Sequence, residues 1–300
     1  MPKYKRAILV PVGDKQAGHA GALVNPATEL PVWEFDKVDQ EYIQVGTDHP
    51  PLSPMQKQLW KWHEDDRQKV ADLAGKDPII YLGMGDETQG GVFGDDLQAN
   101  SMATQWLYSK YNMRPWLEMK QLKAAYFVQG TSVHLWGAGD TETVLVHHLK
   151  EMYPHKRIEM TQHWELELLG KVIDVAHHGP GVGMREWTKG NTLRLYTKSL
   201  MQKLHDNRKR TPDLLLRAHF HQPISETVSL NLDEEILKCE SWITPPYSVI
   251  GSHGQKATQS VSQMHVGFLA FEIIEGLPIK THYKPFWHTF DLRVKERIEL

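Results

Sequence analysis

Short apolar runs recur along this chain, and five of them end at an acid, a histidine or a glycine-bounded polar group. Ala7 to Val12 leads into Gly13-Asp14, Pro78 to Met84 into Gly85-Asp86, and Ala124 to Gln129 into Gly130-Thr131. Val172 to Ala176 leads into His177-His178, and Asp213 to Arg217 into Ala218-His219-Phe220-His221. Continuous Val/Ile/Leu-rich runs of this length are the pattern of strands buried on both faces. Open α/β sheets bind ligands beyond the carboxyl ends of their strands. The pattern therefore predicts that five polar ends converge in one crevice.

Between these runs the spacing turns helical. Ser53-Pro54 is a cap followed by a proline at the first helical position, and Met55 to Ala74 then carries Leu59, Trp62, Val70 and Leu73. Weaker helical patterns cover Leu97 to Lys110, Thr141 to Lys150 behind the cap residue Asp140, and Thr192 to His205. Strands alternating with helices predict an α/β fold with right-handed crossovers wherever neighbouring strands are parallel. From Thr227 onward, alternating aromatic-containing segments such as Val266 to Ile274 and His282 to Val294 predict antiparallel strands. The stretch from Gln16 to Pro51, rich in Gly, Pro and Ala, reads as an irregular surface loop near the site. With no repeat, low-complexity tract or linker, residues 1–300 read as one domain.

Composition narrows the class. At 300 residues, 40% hydrophobic and 24% charged, usage is that of a globular enzyme. The basic start, Lys3 to Arg6, followed by Ala7 to Val12 imitates a signal peptide, but the apolar run is short and reaches Asp14, so it reads as the first strand. The single Cys239 excludes an internal disulfide and a cysteine-based zinc site. No stretch approaches the roughly 18 apolar residues of a membrane span, so a cytoplasmic protein with no membrane partner is expected. A formal charge of -3, from 34 Lys+Arg against 37 Asp+Glu, argues against broad nucleic-acid binding. The one basic cluster, Lys203, His205, Arg208, Lys209 and Arg210, reads as the solvated end of a helix and its turn.

The five polar ends are metal-binding groups by chemistry. Asp and neutral His hold divalent cations. Asp14 and Asp86 each follow a glycine that allows a sharp turn, although an Asp in that position is also a common cap or turn former. In an extended segment His219 and His221 fall on the same side, able to chelate one ion or hold two. His177-His178 cannot aim both rings one way, so one is a ligand and the other packs or touches substrate. Among the 17 histidines, His49, His63, His147, His148, His155, His163, His205, His282 and His288 read as exposed or structural. His19, His253 and His265 stay open as cleft residues. Trp136 and Trp187 are candidate pocket walls, and Arg185 and Asn191 candidate phosphate contacts.

In order and spacing these blocks resemble the calcineurin-like metallophosphoesterase family, whose blocks read Asp-x-His, Gly-Asp, Gly-Asn-His, His and Gly-His-x-His. Gly130 to His134 and Ala176 to Pro180 are similar to the Gly-Thr-x-x-His and Ala-His-His-Gly-Pro blocks of a branch common in phages and prophages, and the resemblance spans roughly residues 7 to 225. It implies a sandwich of two facing mixed β-sheets flanked by helices. It further implies two divalent cations, Mn2+ before Mg2+, iron or Zn2+, that together activate water for hydrolysis of a phosphodiester substrate. Asp14 and His221 would belong to one cation, His177 and His219 to the other. Asp86 would bridge them, with His134 beside the phosphate as acid or transition-state donor. Two positions depart from the pattern: Gln16 stands for the histidine of Asp-x-His and Thr131 for the asparagine of Gly-Asn-His. A glutamine carbonyl is a harder, weaker ligand than imidazole and favours Mn2+ or Mg2+ over zinc, while Thr131 would ligate through its hydroxyl, its backbone or a water. A DNA or RNA nuclease of the same family and a non-catalytic metal-binding or interaction protein are the alternatives; for a phage protein the compartment would be the host cytoplasm.

Overall fold

The computed structural model describes residues 4–92, 94–134, 140–183, 185–257 and 261–293. Its first half runs β1 (Arg6–Val12), β2 (Leu30–Asp36), β3 (Glu41–Asp48), α1 (Pro54–Ala74), β4 (Ile79–Gly83), α2 (Met102–Leu117), β5 (Leu122–Val128) and α3 (Thr141–Met152). There follow β6 (Arg157–Thr161), β7 (His163–Leu168), β8 (Lys171–Ala176), α4 (Asn191–Asp206), β9 (Leu214–Arg217), β10 (Ile224–Leu232) and β11 (Glu235–Ile243). The chain closes with α5 (Ser252–Ala257), β12 (Gln263–Gly267), β13 (Ala270–Ile274), β14 (Lys280–His282) and β15 (Trp287–Asp291).

Two mixed sheets dominate. One has the order β14-β13-β1-β4-β5-β6, parallel from β1 to β6; the other has the order β10-β11-β9-β8-β7, with β11, β9 and β8 parallel. Period-two alternation sends each strand's side chains to two different cores. From β1, Leu9 packs with Leu82, Val175, Leu214 and Leu216 between the sheets, whereas Ile8, Val10 and Val12 face the helices with Leu59, Trp116 and Leu145. From β9, Leu215 turns away from Leu214 and Leu216 to meet Leu193 and Met201 of α4. The layers are thus α1, α2 and α3, first sheet, second sheet, α4. This is the expected α/β architecture of two mixed sheets flanked by helices.

Helix starts follow local chemistry. The Ser53 hydroxyl accepts from the Gln56 N–H at 3.2 Å while the Gln56 side chain accepts from the Ser53 N–H at 3.1 Å, closing a capping box ahead of Pro54. Asp140 caps α3 through the N–H groups of Glu142 and Thr143. Three expectations are corrected. The second helix begins at Met102, where Ser101 caps it, and runs on to Leu117 rather than covering 97–110. The stretch from Gln16 to Pro51 is irregular only in its first part, and residues 16–25 there are almost all buried beside the loop after β4 instead of lying on the surface, while β2 and β3 form a solvent-exposed antiparallel hairpin. The C-terminal strands do pair antiparallel, β12 with β15 and β13 with β14, but Phe268 and Leu269 split the predicted 266–274 segment so that its halves join different sheets. Among the described residues no helix is long and apolar enough to cross a membrane.

Candidate metal centre

Because β1, β4 and β5 are parallel in one sheet and β8 and β9 in the other, their carboxyl ends open at the same edge of the sandwich. Backbone hydrogen bonds lock the loops there: Asp14 N–H to the Gly85 carbonyl at 3.0 Å, Gln16 N–H to Asp86 at 2.8 Å, and Ala218 N–H to His177 at 2.9 Å. Five side chains at this edge sit on backbone in the left-handed region, Asp14 (φ 48°), Gln16 (46°), Asp86 (54°), His219 (74°) and His221 (53°). Each costs on the order of 1 kcal/mol for a non-glycine residue, and such residues gather where side chains must be aimed. Gly130 can only be glycine, since a Cβ would lie 2.2 Å from Asp86 Oδ1.

The five ends do meet. Ligand atoms of Asp14, Asp86 and His177 lie within 4.8 Å of one another, as do those of His177, His178 and His219. Asp14 Oδ1 stands 3.4 Å from His221 Nε2, and Asp86 Oδ2 stands 3.2 Å from His177 Nε2. Donors bound to one cation at about 2.1 Å are roughly 3.0–3.4 Å apart, so these spacings suit shared ions. The Thr131 hydroxyl lies 3.1 Å from His177 Nε2 and 3.0 Å from His219 Nδ1, and the Thr131 N–H donates to Asp86 Oδ1 at 2.6 Å. His177 donates its Nδ1–H to the Met84 carbonyl at 2.6 Å, which leaves Nε2 facing inward, as a ligating imidazole is held. His178 is exposed, with its ring 4.9 Å from both His177 and His219. His219 and His221 reach the centre through left-handed turns beyond β9, not through the strand alternation the sequence suggests.

The electrostatics also fit a cation. Four carboxyls, Asp14, Asp86, Glu87 and Glu142, are 0–2% exposed. The one Lys or Arg ion-paired with any of them among the described residues is Lys15, which pairs with Glu87 at 2.6 Å. Asp14 Oδ1 is buried with no hydrogen-bond partner. Burial, and then the charge of Asp86, push the Glu142 carboxyl up to about 8, so it is the unpartnered oxygen of Asp14 whose burial calls for compensation. Burial alone would raise the Asp86 carboxyl, but the charge and hydrogen bond of His177 hold it well below the usual range. Conversely burial opposes the His177 imidazolium, yet Asp86 pushes it up to about 10. Burial, and then the charge of His177, keep His219 and His178 low and therefore neutral, the state in which imidazole ligates.

No family model matches this sequence, and no curated protein matches it. Among solved structures, a predicted phosphoesterase of Streptococcus pneumoniae is similar over 96% of this chain and 99% of its own, at 10% identity and TM-score 0.35. Vps29 of Entamoeba histolytica, solved in complex with Zn2+, is similar over 95% of this chain and 99% of its own, at 11% identity and TM-score 0.36. The NAD nucleotidase of Haemophilus influenzae covers 93% of this chain with 49% of its own, at 8% identity and TM-score 0.38.

A cleft of about 980 Å³ opens over the centre, lined by Gln16, Asp86, His134, His219 and His221. His134 donates Nδ1–H to the Gln89 carbonyl at 2.8 Å, and its Nε2 lies 3.5 Å from Asp86 Oδ2. Gln16 differs from expectation. Its carbonyl accepts from Ser248 Oγ at 3.2 Å, so the amide nitrogen is what faces His134 and His221, at 3.4 and 3.3 Å. Of the open histidines, His19 and His265 line the cleft, while Trp136 and the side chain of His253 lie outside the described residues. Trp187 is 81% exposed and is no pocket wall. Asn191 accepts from Arg194 on the surface at 2.8 Å, away from the centre's lining. Sequence reasoning missed Lys15, Glu87, Glu142 and Ser248. Lys15 and Glu87 directly follow Asp14 and Asp86, a repeated signal of charge at two strand ends that was there to read.

Proposed function

We propose that this protein is a metal-dependent phosphoesterase acting on phosphodiesters. Asp14 and His221 would hold one divalent cation and His177 and His219 a second, with Asp86 and Thr131 contributing beside them. The observation that carries this reading is the meeting of Asp14, Asp86 and His177 within 4.8 Å, with a buried oxygen of Asp14 left without a hydrogen bond. The oxygen-rich donors around Asp14 suit Mn2+ or Mg2+. When bound, such cations supply Lewis acidity to phosphoryl oxygens and a water nucleophile of lowered pKa.

The remaining roles belong to this chain's own side chains. His134, its Nδ1–H anchored on Gln89, presents Nε2 to the cleft and, protonated there, donates to the leaving oxygen. The Gln16 amide nitrogen, oriented by Ser248, donates to a phosphoryl oxygen. Phe220 and Val182 on the cleft wall exclude water from one side. A cleft of about 980 Å³ exceeds what a phosphate alone requires and leaves room for an organic group on each ester oxygen.

Protein purified without chelator should carry two divalent ions per chain by elemental analysis and cleave bis(p-nitrophenyl) phosphate when Mn2+ is supplied. Cleavage confined to single-stranded or duplex DNA would instead mark a nuclease. Bound ions without cleavage of either would mark a metal-binding protein, and absence of ions would sink the metal reading altogether.

A further inference from the structure

The helix α3 starts at the metal centre, and its first two residues, Thr141 and Glu142, are each 2% exposed. Glu142 Oε1 accepts the N–H of Glu87 at 2.8 Å, and Oε2 accepts the N–H of Gly130 at 2.7 Å. Glu87 is the residue after Asp86, and Gly130 the residue before Thr131. One rigid carboxylate thus grips two loops, from β4 and β5, each a single residue away from a group that faces the centre. The same helical turn reaches a third piece: Thr141 Oγ1 lies 2.9 Å from Thr88 Oγ1, which itself donates to the His134 carbonyl at 3.0 Å. With that proton committed to His134, the Thr141 hydroxyl is the donor in its pair with Thr88.

From this arrangement we infer that Glu142 is a positioning residue, holding the Asp86 and Thr131 loops at the spacing a shared cation needs. The inference rests on the reading of these loops as a metal centre. A carboxylate is costly in this place, buried close to Asp86 and Glu87, where a neutral side chain would avoid the repulsion. No neutral side chain offers the same two acceptors: glutamine has one carbonyl oxygen and would turn an NH2 group against the second N–H. The Glu87 amide is buried and the Gly130 amide part-buried, so losing the acceptor at Glu87 leaves a donor unsatisfied, not merely rehydrated. The bracing acts before any ligand arrives, because its bonds lie wholly within the protein.

Two variants test it. Glu142→Gln keeps size and removes one acceptor; Glu142→Asp keeps a carboxyl at the start of α3 but is one methylene too short to reach both loops. In metal-free protein, amide hydrogen exchange should quicken about tenfold or more at Glu87 or Gly130 in each variant, corresponding to a lost hydrogen bond, while Leu9 and Val10 in β1 remain protected. Calorimetric titration with Mn2+ should show affinity reduced about 10- to 100-fold, as for other groups that orient ligands. Unchanged exchange at both amides overturns the inference, and so does loosened exchange with wild-type Mn2+ affinity. Wild-type protein that takes up no Mn2+ overturns the metal reading beneath it, and this is distinguishable because the exchange measurement involves no metal.

Discussion

The two walls of the cleft are built differently. On the first-sheet side, Asp14 and Asp86 are fully buried, and their loops are stitched to each other through Asp14 N–H, Gln16 N–H and Thr131 N–H. On the second-sheet side only His177 is buried; His219 and His221 are partly open and His178 is exposed. The His219 N–H donates to Asp14 Oδ2 at 3.2 Å and ties that wall to the first. The acidic wall is a buried pair of carboxyls held by backbone, while the imidazole wall is a rim that meets solvent. The donors divide along nearly the same line: the carboxylates of Asp14 and Asp86 lie inside with the buried imidazole of His177, and the imidazoles of His219, His221 and His178 lie toward the opening.

The comparison is broken most directly by removing one group from each wall. Asp86→Asn should abolish metal uptake and cut turnover by about 10³-fold or more, equivalent to several kcal/mol of lost transition-state stabilisation, whereas His178→Ala should retain the ions. Equal metal loss in the two variants, read by elemental analysis, would remove the distinction between acidic wall and rim. A smaller effect tests a residue between the walls. His134→Ala should lower turnover by roughly 10²- to 10⁴-fold, the range of general acid catalysis, with metal content unchanged; metal lost in step with activity would make His134 a ligand instead of a donor.

The mildest effect concerns protons. His177, raised from 6.5 to about 10 by Asp86, is protonated at neutral pH until a cation displaces that proton. Its ion pair contributes stability fully present below pH 6.5, and this is lost as pH rises through 10. The apparent Mn2+ affinity should therefore climb by up to about tenfold per pH unit between those limits. Calorimetry in two buffers of different ionisation enthalpy should record close to one proton released per centre from this group; a titration showing no release would mean that the acidic wall does not hold His177 in its charged form.

Read alone, the sequence marked five of the strands and the identity of the groups at their ends. Those strands are buried on both faces, so apolar continuity, an interaction among neighbours in sequence, was enough to mark β1, β4, β5, β8 and β9, and the Ser53 and Asp140 caps marked two helix starts. The tertiary structure alone decided the rest. Which sheet each half of 266–274 joins depends on pairing with distant strands, and the hairpin of β2 and β3 was concealed by the Gly, Pro and Ala residues of the chain that leads into it. The grip of Glu142 on two loops arises from contacts across 12 and 55 positions of chain, and the turning of the Gln16 amide by Ser248 from one across 232. Hydrogen bonds depend on distance in space, and in a layered sandwich that distance is set by how two sheets and their helices stack, which no local pattern encodes.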